Sequence, residues 1–426
     1  MAGVHHTKSV LETIERLDAE YNPSLFVDHI RPDDDYSRQL WTRVSHNSAF
    51  MQQLADLTKT PYSDPFVACL FEDSATQNVL SADDKLVSSR FFHNAFFERL
   101  IYQAIEHHHL EYARIFFTAD LCLRLRGHRT QPLIFAADYT GYGPATQGDW
   151  RAWADAVWAW CHAPGQTSHD IRQTLREICD TWKNERIPFD ERILFMYRYW
   201  RDLIFRERSS QDEFCLPHWP KWAVYLPGEK AAYQKRIDRI FSEWLTFARQ
   251  YEADDILPGT QPEIYGTSLC MWIGPFLSDS PAWVKSYIYY EFLNQRTIDV
   301  TVRATLLRMA LRAYEIDHGH LPDQLADLVP DYLLVIPSVP GTQDAFIYFP
   351  ADTEASARVH PELTGPCLAI PGLLGVARDG WPTEADRRAQ ARRTSWNSAF
   401  PESDVLVIWP LSPPPLKKAS PQGENP

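Results

Sequence analysis

The chain has 426 residues, and its 42 basic and 56 acidic side chains leave a formal charge of -14. That negative surplus argues against a nucleic-acid partner, because phosphates are repelled wherever no local basic patch gathers. With 17 glycines against 15 tryptophans, 19 tyrosines and 22 phenylalanines, the composition argues against a phosphate-cradling nucleotide fold and a turn-rich all-β fold, and it supplies a sizeable core. The seven cysteines, Cys69, Cys122, Cys161, Cys179, Cys215, Cys270 and Cys367, are scattered and form no Cys-x-x-Cys pair. They read as free buried thiols in a reducing compartment rather than as a disulfide framework or a zinc site. The N-terminus has no apolar core and does not read as a signal peptide. No apolar run approaches the ~18–20 residues of a membrane span, so the chain as written reads as soluble.

Helical periodicity dominates residues 1–295. Residues 9–21 open with Ser9 and Glu12 at capping-box spacing and set Leu11, Ile14 and Leu17 on one face. After Pro23 and the acidic stretch Asp33, Asp34 and Asp35, a short helix is expected over 48–58, ended by Pro61. Residues 85–126 carry Phe92, Phe96, Leu100, Ala104, Tyr112, Phe116 and Leu121 at helical steps. They predict one or two long helices, stopped at Gly127. Further helices are expected over 149–161 (Trp150, Trp153, Val157, Trp160), over 167–183 (Ile171, Leu175, Ile178) and over 229–251. Another, over 190–208, carries Phe195, Tyr197, Tyr199 and Trp200, is apolar on most faces and is therefore expected to be buried. No repeat period marks a solenoid. Beyond Pro330 prolines crowd in, and two short strands are expected over 346–349 and 405–409. The polar, proline-rich tail 413–426 reads as disordered. The fold class is mainly α: a large helical body (1–295), then a small α+β module (296–412), then the tail.

Within 299–348, Val302, Leu306, Met309, Ala313 and Ile316 trace one helical face. Gly319 ends that helix, since glycine accepts the left-handed conformation at a C-terminal cap. Pro322 starts a short second helix that buries Leu325 and Leu328. Pro330 closes it, before a turn at Pro337, Pro340 and Gly341 and a strand containing Tyr348. The succession Tyr314, Gly319, Leu321, Pro322, Leu325 and Leu328, followed by a proline turn and a strand with Tyr348, resembles the helix-to-sheet junction of type II secretion pseudopilins. Val339 stands where that family has an Asp, which in pseudopilins helps to order the C-terminal loop, sometimes with calcium. The replacement weakens the case for calcium here. The larger organisation is similar to a group of uncharacterised bacterial proteins that place a hydrophobic anchor before a helical stretch and this motif. The resemblance implies an envelope-associated protein whose anchor is missing from this chain. It also implies a pilin-like module that works by packing and polymer contacts rather than through a catalytic group.

Two Glu-x-x-His pairs occur, Glu106 with His109 and Glu315 with His318, and His107, His108 and Glu111 lie beside the first. On a helix, two such pairs with two further carboxylates are what a di-iron bundle needs. Such a pair arises easily by chance in a chain with 15 histidines, and the second sits at a helix end. The reading retained is a solvated polar face. Nucleophile-elbow, phosphate-loop, dinucleotide and zinc-protease motifs are absent. Gly141 and Gly143 before Pro144 mark a turn, and Arg387, Arg388, Arg392 and Arg393 read as the solvated face of a short helix. Trp219, Trp222 and Tyr225, in a loop flanked by Pro217, Pro220 and Pro227, are candidates for a sugar- or peptide-binding groove, with core packing as the plainer reading.

No catalytic, cofactor-binding or metal-ligating residue is therefore assigned, and no cofactor. The expected function is that of a non-enzymatic structural or interaction protein with a protein partner of unknown identity. Its location is the envelope if an anchor precedes this chain and the cytoplasm as written. The alternatives are an enzyme with a metal-dependent or hydrolytic site in the helical body, and an aromatic-groove binding module.

Overall fold

A computed structural model describes residues 2–18, 35–60, 96–135, 145–205, 229–254, 281–350, 366–370 and 407–412. These are mainly helical. In chain order the helices are α1 (Ala2–Asp18), α2 (Asp35–Ser45), α3 (Ser48–Leu57), α4 (Phe96–Glu106), α5 (Leu110–Phe135), α6 (Ala145–Cys161), α7 (Ser168–Glu185), α8 (Phe189–Phe205), α9 (Glu229–Glu252) and α10 (Pro281–His318). A 3-10 turn (Leu325–Leu328) leads to strands β1 (Ile347–Phe349), β2 (Cys367–Ile370) and β3 (Val407–Pro410).

The helix α1 buries Val10, Leu11 and Ile14, the face the spacing predicts. It begins before Ser9, however, so Ser9 is an interior residue whose carbonyl accepts from the Thr13 hydroxyl at 2.9 Å. Helix α3 starts at Asn47, whose side chain accepts from the Phe50 N–H at 3.0 Å and satisfies one of the free amides of the first turn. The stretch expected as one or two helices is two, broken at 107–109, where His108 takes a left-handed φ of 60°. Gly127 does not stop the second helix: α5 runs through it to Phe135. Thr167 caps α7 by accepting from the Asp170 N–H at 3.2 Å.

Helix α10 lies between α6 and α7, and α5 packs on α4, α6 and α7. The sequence marks one apolar face on α10, yet Val302, Ala304, Thr305, Leu306, Leu307, Arg308, Met309, Ala310 and Leu311 are all buried, because neighbours enclose this helix on every side. Tryptophans of α6 fill the space between helices and place their polar edges on backbone. Trp153 Nε1 donates to the Phe117 carbonyl at 3.0 Å, and Trp160 Nε1 donates to Leu110 at 3.0 Å. A buried indole N–H with a carbonyl partner carries no desolvation penalty, so each ring contributes its full apolar area. Arg126 of α5 links the first helices to α7. Its guanidinium donates to the carbonyls of Leu57 (3.1 Å) and Thr60 (2.6 Å), the Thr7 hydroxyl (2.9 Å) and the Glu185 carboxylate (2.6 Å).

A second core gathers Phe189, Ile193 and Met196 of α8, Ile237, Phe241, Trp244 and Phe247 of α9, and Ile288 and Phe292 of α10. Among the described side chains of α8, Phe195 and Tyr197 are half-buried and Glu191 and Arg198 open to solvent. The helix is therefore amphipathic rather than buried on all sides. The side chains of Tyr199 and Trp200 lie outside the described residues.

The three strands form an antiparallel sheet in the order β1-β2-β3, with Phe349 opposite Cys367 and Ala369 opposite Ile408. The central strand β2 was not expected. It fits between Pro366 and Pro371 and all four of its residues are buried, so it shows neither the length nor the alternation that marks a strand in sequence. The boundary expected at 295/296 falls inside α10, which passes through it unbroken. Leu325, Leu328, Val339, Phe346, Leu368, Ile370 and Leu411 share one continuous core with α1–α7 and the C-terminal half of α10.

Candidate functional site

The histidine-rich stretch proves to be a turn, not a helical face. Glu106 is the last residue of α4 and accepts from Gln103 Nε2 at 3.0 Å, while His107, His108 and His109 form the exposed link to α5. His107 stacks on Trp41 with ring centroids 5.5 Å apart and planes 7° from parallel, and His109 stacks on Tyr112 at 5.5 Å. The Glu315 carboxylate is held by Arg312 at 2.6 Å, and His318 lies against Tyr314 at 4.1 Å. Among the described residues, no three His, Cys, Asp or Glu side chains converge on a point where they could hold a metal ion.

Charged side chains also lie inside the body, where no motif marked them. Between α4, α5, α6 and α10 lie Glu98, Tyr102, Asp120, Arg124, Asp155 and Arg308. Arg124 Nε donates to Asp120 at 2.8 Å, and Arg308 meets Asp155 at 3.3 Å while its guanidinium sits 4.4 Å over the Trp158 ring. Burial pushes the Glu98 carboxyl up to about 7, with Arg124 opposing and Asp120 and Asp155 adding to the rise. Burial lowers Arg308 to about 10, against the pull of Asp155. Beside them burial raises the Cys161 thiol to about 12 and, helped by Arg312 and Arg308, lowers His162 to about 4. Glu98, a half-buried carboxyl near neutrality, lies beside Tyr102, whose hydroxyl burial pushes well above its ordinary value.

A second charged knot joins both cores. Asp299, fully buried on α10, accepts from Arg186 twice (2.8 and 2.7 Å), from the Tyr251 hydroxyl (2.9 Å) and from Gln295 (3.1 Å). Arg186 also grips Glu252 with two bonds of 2.8 Å. Burial would lower the Arg186 pKa, but the two carboxylates outweigh it and keep the guanidinium charged.

The C-terminal segment is fastened to the body through Asp254, just past the end of α9. Asp254 takes a left-handed φ of 52° and accepts from the Gly341 N–H (2.8 Å), the Ser338 hydroxyl (2.9 Å) and Arg303 of α10 (3.1 Å). Arg303 in turn donates to the Ser338 carbonyl at 3.0 Å. In this turn Val339 is buried as an apolar residue, and the carboxylate that receives the turn's donors comes from the helical body, where Arg303 balances its charge. Trp158 Nε1 adds a bond to the Ser412 carbonyl at 3.1 Å, and Tyr348 closes the module by donating to the Pro322 carbonyl at 2.8 Å.

Next to this joint, loop 329–336 carries an apolar tip. Leu328 and Leu333 are buried at its base, and the N–H groups of Tyr332 and Leu333 both donate to the Leu328 carbonyl at 3.0 Å. The Tyr332 hydroxyl donates to Asp317 at 2.9 Å, and Asp317 also accepts from Ser168 of α7 at 2.5 Å. These two hydroxyls, Ser168 foremost, hold the Asp317 carboxyl below its usual range. Leu334 and Val335 project from the pinned turn into solvent.

Trp219, Trp222, Tyr225, Gly141, Gly143, the arginines at 387–393 and the tail 413–426 lie outside the described residues. No helix among the described residues is long and apolar enough to cross a membrane. Comparison with known protein families, with characterised proteins and with solved structures finds no match to the chain.

Proposed function

We propose that the chain is a non-enzymatic structural or interaction protein of the bacterial envelope, whose helical body holds a small pilin-like module in one fixed position. The observation that carries this reading is the double use of α10. Its residues Leu306, Leu307, Met309 and Ala310 pack in one core with Trp153 and Ile171 of the body and with Leu325, Phe346 and Leu368 of the module. A module so embedded cannot move independently, which suits a mount better than a lid. The test has two parts. The tagged product of the intact gene, fractionated from its own cells, is expected with the envelope; recovery wholly in the cytosol overturns the location. In hydrogen exchange, the amides of Leu368 and Ala369 are expected to open together with those of Ile171 and Leu175. Opening of the strands at far lower free energy would overturn the fixed mount.

A second reading, an enzyme with a hydrolytic site in the helical body, has Glu98 beside Tyr102 in its favour. It requires ester, amide or glycoside hydrolysis that disappears in Glu98→Gln.

A further inference from the structure

We propose that loop 329–336 is the docking element for a second protein, one that offers an apolar groove with a rim of lysine or arginine. This rests on the interaction reading above and names the surface that would carry it. Leu334 is 91% exposed and Val335 72%, with Val329 at 38% beside them, and these are the exposed large aliphatic side chains among the described residues. They stand on a turn held on one side by buried Leu328 and Leu333 and the Tyr332–Asp317 bond, and on the other by Ile336, packed against the core, and buried Val339. An apolar pair on a pinned turn has little conformational freedom left to lose when it is covered.

The charge around the tip selects the partner. From 313 to 350 the chain has no lysine or arginine but carries Glu315, Asp317, Asp323, Asp327, Asp331 and Asp344. Of these Asp317, Asp323, Asp327, Asp331 and Asp344 are exposed. Among the described residues, two cations reach the segment from outside it: Arg172 of α7, whose guanidinium lies 5.5 Å over the Tyr332 ring, and Arg303 of α10, which is bonded to Ser338 and paired with Asp254. An acidic rim repels the same surface on a second copy and repels an anionic bilayer. It attracts a basic rim, which speeds encounter and fixes orientation while the apolar tip supplies affinity.

The test replaces Leu334 with a photo-crosslinking residue in the full chain, expressed in the cells that carry the gene, with a control at exposed Gln173 of α7. Adducts are digested and their peptides identified by mass spectrometry. The expected result is one partner protein, absent from the control, whose linked peptide sets apolar residues beside lysine or arginine. Its yield should fall about tenfold or more on adding Val335→Asp, and likewise on adding Asp323→Lys with Asp331→Lys. Asp327 stays in place because it receives the Gln324 N–H at 3.2 Å and supports the turn. Circular dichroism of each variant checks that the fold is kept. Cross-links to lipid, to the same chain or to a second copy would overturn the proposal, as would no adduct or a yield indifferent to charge reversal. Any of these leaves the fractionation and exchange results standing, so the two readings fail separately.

Discussion

Replacing Asp254 by Asn should release the turn at Ser338–Gly341 while leaving the helical body intact. Asn keeps the size of the side chain and tolerates the left-handed backbone that Asp254 adopts, so the perturbation is confined to charge and one acceptor. The carboxylate now receives three donors, from Gly341, Ser338 and Arg303. After the substitution an amide N–H₂ faces donors, and Arg303 loses its anion. The pair is neither open nor sealed, with side-chain exposures of 25% for Asp254 and 17% for Arg303. Its loss should therefore cost about 2 kcal/mol, between an exposed pair and a buried one. At 1.4 kcal/mol per decade, the Gly341 amide should exchange on the order of thirtyfold faster. Hydrogen exchange resolved at Gly341, with Leu175 of α7 as internal control, measures this directly. Asp254→Ala should exceed it by about a further 1 kcal/mol, the strain of a left-handed residue without the Asx side chain. A Gly341 rate within threefold of the parent would refute the claim that the body supplies the charge that orders this turn. So would an equal acceleration at Leu175.

Asp299→Ala should be far costlier, about 3–5 kcal/mol in denaturant unfolding, because it strands Arg186, the Tyr251 hydroxyl and the Gln295 amide in the interior. A loss under about 1 kcal/mol would contradict the bonding described. Glu98→Gln should stabilise the protein at pH 8 and leave it unchanged at pH 4. The folded carboxyl titrates near 7 rather than 4.5, so the unfolded chain alone is ionised between those values and stability falls as pH rises across them. The gain at pH 8 should reach up to about 2–3 kcal/mol. His162, lowered from 6.5 to about 4, has the opposite slope: its contribution is lost as pH falls through that window. Thermal melts of Glu98→Gln across pH 4–8 should therefore expose an acid-side loss that Glu98 masks in the parent, and parallel curves would refute the assignment.

Helix content was legible because the stripes of Leu11 and Ile14, of Ile171 and Ile178, and of Val302 and Met309 are governed by one-turn spacing. The left-handed turn at His108 was not, since three consecutive histidines carry neither glycine nor proline to mark the break. Gly127 misled in the other direction: one glycine inside a long helix costs about 1 kcal/mol, which burial elsewhere on α5 outweighs. The buried charges drew no reading from the sequence, because a single sequence shows a charged residue without its partner. Asp120 with Arg124, four residues apart on one helix face, was the one available hint. For the joint, Asp254 and Ser338 stand 84 positions apart, beyond any local pattern. The apolar tip was readable in principle. Leu333, Leu334, Val335 and Ile336 run consecutively between Asp331 and Pro337, and only packing decides that the first turns inward and the next two outward.

The 38 residues of α10 make a rod about 57 Å long. Two fittings are cut into it nine residues apart: Asp299, which must face Arg186, and Arg308, which must face Asp155 and Trp158. Each residue advances the helix by about 100°, so adding or deleting one residue between them swings one fitting a quarter-turn or more from its socket. The register of this rod cannot drift, and the spacing from Asp299 to Arg308 sets the gauge to which the rest of the body is assembled.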